Sequence, residues 1–218
     1  MAGAIVIGAG PGIGASVARR FAREGLPVAL LARSAATLEA SARTVVDAGG
    51  TALSLVADST DDEGLRAALA QAVERHGVPE VLVYNAAQIR SDQPGDLTVD
   101  EHRDAWAVNV AGAVTAVAAV APAMADAGAG TVLLTGGMPE PLFDLVSLSL
   151  GKAGIRALAQ LLDAHYGERG LHVATVTVCG PVEPGGPFDP DEIADAYWRL
   201  HRQPREAWER ELVYRGRA

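Results

Sequence analysis

Apolar residues in this chain follow two recurring patterns. Short unbroken runs rich in Val, Ile and Leu alternate with longer stretches in which apolar side chains return every three or four residues. The first pattern suits a strand buried on both faces, and the second suits a helix with one buried face. Strands are predicted at Ile5–Ile7, Pro27–Ala32, Thr51–Ala57, Val81–Tyr84, Thr131–Leu134 and Val173–Val178, with Leu212–Tyr214 as a candidate seventh strand at a sheet edge. Helices are predicted at Ala15–Glu24, Ala35–Ala48, Asp61–His76, about Asp100 to Ala127, about Phe143 to Tyr166, and Asp189–Gln203. Strict alternation of the two predicts an α/β fold in which a doubly wound, mostly parallel sheet carries helices on both faces. No linker, repeat or low-complexity segment divides it, so one domain over 1–218 is expected, with 183–218 as a short substrate-side segment and C-terminal helix.

Chemistry concentrates where the strands end. Ligands in such sheets bind beyond the strand C-termini, and the runs break there at Gly8, Arg33, Asp58, Asn85, Gly136 and Gly180. The first break carries the most information. Gly8, Gly10, Gly12 and Gly14 form a loop that turns tightly and lets a ligand approach the backbone. The helix that follows presents free N–H groups and a dipole that favours a phosphate. Strand, glycine loop and helix in this order predict nucleotide binding.

Composition narrows the partners. The 218 residues are 49% hydrophobic and 21% charged, with a formal net charge of −9. That acidity argues against a nucleic-acid or anionic-membrane partner. Cys179 is the only cysteine, so no intrachain disulfide and no cysteine-based metal cluster is expected, and no histidine stands at ligand spacing. The absence of a basic, secretory-type start predicts a cytoplasmic protein. Ala105 to Ala125 is apolar enough to raise a membrane question, but Asn109, Thr115 and Pro122 favour a buried or interface helix.

Taken together, these residues resemble the short-chain dehydrogenase/reductases, over roughly 4–182. Gly8-Ala9-Gly10-Pro11-Gly12-Ile13-Gly14 is similar to that family's glycine loop, although Ile7 stands where a Thr is usual. Asp58, followed by Ser59, matches the acidic residue on the adenine. Asn85-Ala86-Ala87 is close to the N-A-G motif, Asn109 matches the helix asparagine of the catalytic set, and Lys152 matches the active-site lysine. Gly180-Pro181-Val182 resembles the segment beside the nicotinamide. The resemblance implies a Rossmann-type seven-stranded sheet and a nicotinamide cofactor. At the end of the second strand Ala32 replaces the acid expected of an NAD enzyme, and Arg33-Ser34 follows. A guanidinium fork suits a 2′-phosphate, so NADP(H) is expected over NAD(H).

The chain departs from the family where the proton is handled. Four residues before Lys152 stands Leu148 instead of a tyrosine, and Gly137 occupies the position of the serine. Leucine transfers no proton. The substitute donors are Ser149, three residues before Lys152 and near the same helix face, or a water held by Lys152 and Asn109. Ser147 and Ser149 equally suit plain structural hydrogen bonding, and Thr135 suits either a carbonyl contact or an ordinary strand position. Tyr197, Trp198 and Trp208 suit a pocket wall or packing. Three functions stay open: an oxidoreductase acting on a small carbonyl or alcohol, a nucleotide-binding module without turnover, and a lyase or isomerase in the same cleft. The resemblance also implies a homodimer or homotetramer packed through the two long helices, where Ala111, Gly112 and Ala118 would allow close approach, although the same small residues equally suit packing within the chain.

Overall fold

The structure is a computed structural model that describes residues 2–217, so the outermost ends of the single expected domain, Met1 and Ala218, lie outside the described residues. Seven strands form one sheet: β1 (Ala4–Ile7), β2 (Val28–Ala32), β3 (Ala52–Val56), β4 (Val81–Tyr84), β5 (Gly130–Thr135), β6 (Leu171–Val178) and β7 (Glu211–Tyr214), in the order β3-β2-β1-β4-β5-β6-β7. Every pairing is parallel. Between them run α1 (Ile13–Arg23), α2 (Ala35–Asp47), α3 (Asp62–His76), α4 (Val99–Trp106), α5 (Gly112–Asp126), α6 (Val146–Tyr166) and α7 (Pro190–His201).

The all-apolar runs are the central strands. β1, β4 and β6 are buried along their whole length, because helices cover both faces. One face packs against α3, α5 and α6 through residues such as Leu65, Val117 and Ile155. The other packs against α1, α2 and α7 through Phe21, Leu38 and Tyr197. Strand order reverses beside β1: the chain first builds outward through β2 and β3, then returns to β4. That switch point opens a crevice above the C-terminal ends of β1 and β4.

Two expected elements are corrected. The long helix predicted from 100 to 127 is interrupted by a π-helical segment, Ala107–Ala111, which separates α4 from α5. It inserts an extra residue into the turn around Asn109, and the Val108 carbonyl accepts a hydrogen bond from the Tyr84 hydroxyl at 2.6 Å. The second long helix begins at Val146 and not near Phe143, because its first turn is capped from outside. The carboxylate of buried Asp92 accepts from the backbone N–H and hydroxyl of Ser147, at 2.9 and 2.8 Å. The stretch Val99–Asp126 is long and apolar enough to cross a membrane by length and composition, and half of its most apolar window is buried within the fold. Of the two uses open to Gly112, an interface or packing within the chain, the fold shows the second: a Cβ there would overlap the Tyr84 hydroxyl and the Ser59 carbonyl.

Candidate functional site

A cleft of about 550 Å³ lies over the C-terminal ends of the central strands. Gly8, Gly10, Pro11, Gly12 and Ile13 form its floor at the α1 end. Arg33, Ser34, Thr37 and Ser59 line one side, Asn85, Ala86 and Ala87 the middle, and Leu148, Lys152 and Val182 the far end.

The glycine loop splits into two functions. Gly8 (φ 82°) and Gly14 are required by the chain itself: a Cβ on Gly8 would overlap the Ala86 backbone, and one on Gly14 would overlap the Gly8 carbonyl. Gly10 and Gly12 have open space at their Cβ positions, with only the Thr37 methyl 3.9 Å from the former and nothing within 4 Å of the latter. No side chain caps α1 and its first turn holds no acid, so the N–H groups of Ile13 and Gly14 remain available to an anion, while that of Ala15 donates to the Gly10 carbonyl. An open glycine cradle on an uncapped helix N-terminus, with the exposed Arg33 beside it, fits the phosphates of a dinucleotide. Ser34 also caps α2, accepting from the Thr37 N–H at 3.3 Å.

Behind the loop runs a hydrogen-bonded chain. The Asn85 side-chain amide donates to the Gly8 carbonyl at 2.9 Å, and its oxygen accepts from the Thr135 hydroxyl, also at 2.9 Å. Thr135 in turn meets the Tyr197 hydroxyl at 2.6 Å. Tyr197 is fully buried, and burial raises its pKa, so the phenol stays protonated. Tyr197 is thus part of the core and not of a pocket wall, and Trp198 and Trp208 pack against Phe21 and His172.

At the far end, the buried Lys152 ammonium donates to the Thr135 carbonyl at 2.7 Å and has no carboxylate partner among the described residues. Burial, reinforced by the nearby Arg156, lowers its pKa from 10.5 to about 8. Arg156 donates to the carbonyls of Gly137 and Met138 at 2.9 and 3.1 Å. It holds Met138 at φ 52°, the one non-glycine residue with positive φ among the described residues.

Not every expected site residue reaches the cleft. Ser149 is the main correction. One position past Leu148, it lies a helical step of about 100° away and faces the preceding loop, where its hydroxyl accepts from the Leu142 N–H (3.1 Å) and donates to the Leu142 carbonyl (3.3 Å). Asn109 sits one layer behind the cleft wall, its oxygen accepting from the Gln88 N–H at 2.8 Å. Asp58 lies at the rim, its carboxylate engaged by the N–H and hydroxyl of Thr60, both at 2.9 Å. Gly14 lies beneath the loop, and Pro181 is exposed next to the lining residue Val182. Sequence reasoning missed Ile89, Val108 and Met138 in the lining. It also missed the anchoring roles of Asp92 and Arg156, because each acts on residues distant in sequence.

The comparisons with known proteins agree with this geometry. The short chain dehydrogenase family model matches residues 2–185. Galactitol 2-dehydrogenase (L-tagatose-forming) from Cereibacter sphaeroides is 33% identical over 78% of this chain and 67% of its own length. 2-(R)-hydroxypropyl-CoM dehydrogenase from Xanthobacter autotrophicus is 39% identical over 60% of this chain, which spans about half (54%) of that relative. A metagenomic short-chain oxidoreductase solved in complex with NADP is 28% identical, with a TM-score of 0.91 over 100% of this chain and 97% of its own. The chain therefore belongs to the short-chain dehydrogenase/reductase family, with the Rossmann-type fold and the nicotinamide-cofactor cleft that define it.

Proposed function

We propose that the protein is an NADP(H)-dependent oxidoreductase acting on a small carbonyl or alcohol, with an atypical proton site. The observation that carries this reading is one continuous cleft that joins an uncapped glycine-loop helix N-terminus, the exposed Arg33 and a buried lysine without a carboxylate partner among the described residues. When bound, a nicotinamide cofactor supplies or accepts the hydride. The chain's own residues bind and orient. Gly8, Gly10, Pro11, Gly12, Ile13 and Gly14 provide the phosphate cradle, Arg33 and Ser34 the 2′-phosphate contacts, and Asp58 and Ser59 the adenine contacts. Asn85, Ala86, Ala87, Pro181 and Val182 flank the ring end, and Lys152 holds the ribose. With Leu148 in place of the phenol and Ser149 turned away, the proton is held at Lys152 Nζ or at a water bound to it. A lysine titrating at about 8 suits acid–base exchange near neutral pH.

Fluorescence titration with NADPH and NADH tests the cofactor reading. NADPH is expected to bind at least about tenfold more tightly, and Arg33→Ala is expected to remove most of that difference, a loss of roughly 1–2 kcal/mol. Equal affinities together with an unaffected Arg33→Ala would sink it. A turnover screen over ketones, aldehydes and enones tests the oxidoreductase reading.

A second reading, a cofactor-sensing module without redox turnover, is favoured by one observation. Leu148 is 5% exposed, and both neighbouring serines are committed to structural hydrogen bonds. Confirmed NADPH binding with no turnover in the wild type, and none after Leu148→Tyr with Gly137→Ser, would favour it. Either reading accommodates a homodimer or homotetramer through the exposed apolar side chains of the two long helices, including Val114, Leu150 and Leu161, which light scattering checks.

A further inference from the structure

The substrate end of the cleft differs chemically from the cofactor end. Its side chains are Ile89, Met138, Leu148 and Val182, with Lys152 as the sole charged group. Ile89 is 75% exposed at the mouth. The loop that carries Met138 continues into Leu142 and Phe143, which are also exposed. Exposed large apolar residues around a cleft mark a surface that binds apolar matter.

The polar groups nearby are already occupied. Asn85 is bonded to Gly8 and Thr135, Thr135 to Tyr197, Asn109 to Gln88, and Ser149 to Leu142. A polyol or sugar brings a hydroxyl on nearly every carbon. Each one buried here without a partner would carry the cost of an unmade hydrogen bond. The Lys152 ammonium spends one of its three donors on the Thr135 carbonyl and keeps two for a single polar oxygen function.

We infer that this end takes a predominantly hydrocarbon carbonyl compound or its alcohol, with the polar oxygen at the Lys152 end and the hydrocarbon against Ile89, Met138, Leu148 and Val182. The inference rests on the oxidoreductase reading for the oxygen function and on the lining itself for the hydrocarbon. It runs against the polyol named in the galactitol dehydrogenase relative.

The test is binding, read separately from turnover. Dissociation constants for 1-alkanols from ethanol to octanol, and for a four-carbon tetritol, are measured on the NADPH-loaded protein by ligand-observed NMR. Affinity is expected to rise about three- to fourfold per methylene until the cleft is filled, with the tetritol binding at least about tenfold more weakly than butanol. Ile89→Asp is expected to weaken octanol by about tenfold or more, and Ile89→Leu to retain wild-type affinity. Cofactor affinity, measured in parallel, reports that both variants are folded. A flat chain-length dependence, or a tetritol that binds as tightly as butanol, overturns the inference. Steep dependence without hydride transfer to any matching aldehyde keeps it and removes the oxidoreductase reading. Turnover confined to polyols does the reverse.

Discussion

Single atoms decide much of the site. Gly14 shows this most directly: a Cβ there would overlap the Gly8 carbonyl oxygen and lie 3.1 Å from the Asn85 amide nitrogen. Gly14→Ala should therefore push α1 off the loop, lowering stability by about 2 kcal/mol in urea melts and weakening dinucleotide binding more than tenfold. Lys152 gives a pH signature. Its pKa falls from 10.5 to about 8 on folding, so between those values the unfolded chain binds more protons than the folded one. Its burial penalty is fully present below pH 8 and is relieved as pH rises toward 10.5. Lys152→Met should be stabilising at pH 7, by about 1–3 kcal/mol, and the gap to wild type should close between pH 8 and 10.5 in thermal melts. The glycine loop and Lys152 were legible in the sequence because each stands next to a strand end or at a fixed spacing on one helix. The turning-away of Ser149 was not, since a position three residues from Lys152 suits either side of the helix until the 138–142 loop is in place.

Elements are positioned by caps and bulges more than by propensity. The start of α6 depends on Asp92, 55 residues earlier, whose 2%-exposed carboxylate takes two donors from Ser147. Asp92→Ala should leave those donors unpaired and fray the turn that carries Leu148, at a cost of about 2 kcal/mol. Scanning calorimetry reads that cost, and hydrogen exchange should locate it at residues 146–149. The α4–α5 break follows the same logic. Periodicity predicted one continuous helix, and composition holds nothing that breaks it near 107. The π segment is set instead by close approach of α6, where a Cβ on Gly151 would lie 2.7 Å from the Asn109 Cβ. The five inner strands were readable to within a few residues because buried parallel strands must be continuous apolar runs, whereas the edge strands β3 and β7 are only partly buried.

Across the whole molecule, the β6–β7 edge and α7 hold an acid-sensitive seam. His201 is packed against Phe21 and Trp198, and its Nδ1 lies 3.0 Å from the Thr131 hydroxyl. Burial, with help from Arg202 and His172, lowers its pKa from 6.5 to about 4. His172, stacked on Trp208, is lowered too, mainly by burial. For both, stability is complete above pH 6.5 and falls as pH drops, because the unfolded chain takes up protons that the folded one refuses. His201→Gln should flatten the loss between pH 6.5 and 4 by about 1–2 kcal/mol in denaturant titrations. The sequence by itself determined the alternation of strands and helices, the clustering of candidate site residues at the strand ends and the glycine loop, since these depend on local periodicity and on glycines such as Gly8 and Gly14 where a Cβ has no room. Only the tertiary structure decided which hydroxyls face the cleft, that Tyr197 reaches Asn85 through Thr135, and that the end of the cleft at Leu148 is apolar. Those outcomes are contacts between segments tens of residues apart, and their register comes from packing two helical layers onto one twisted sheet.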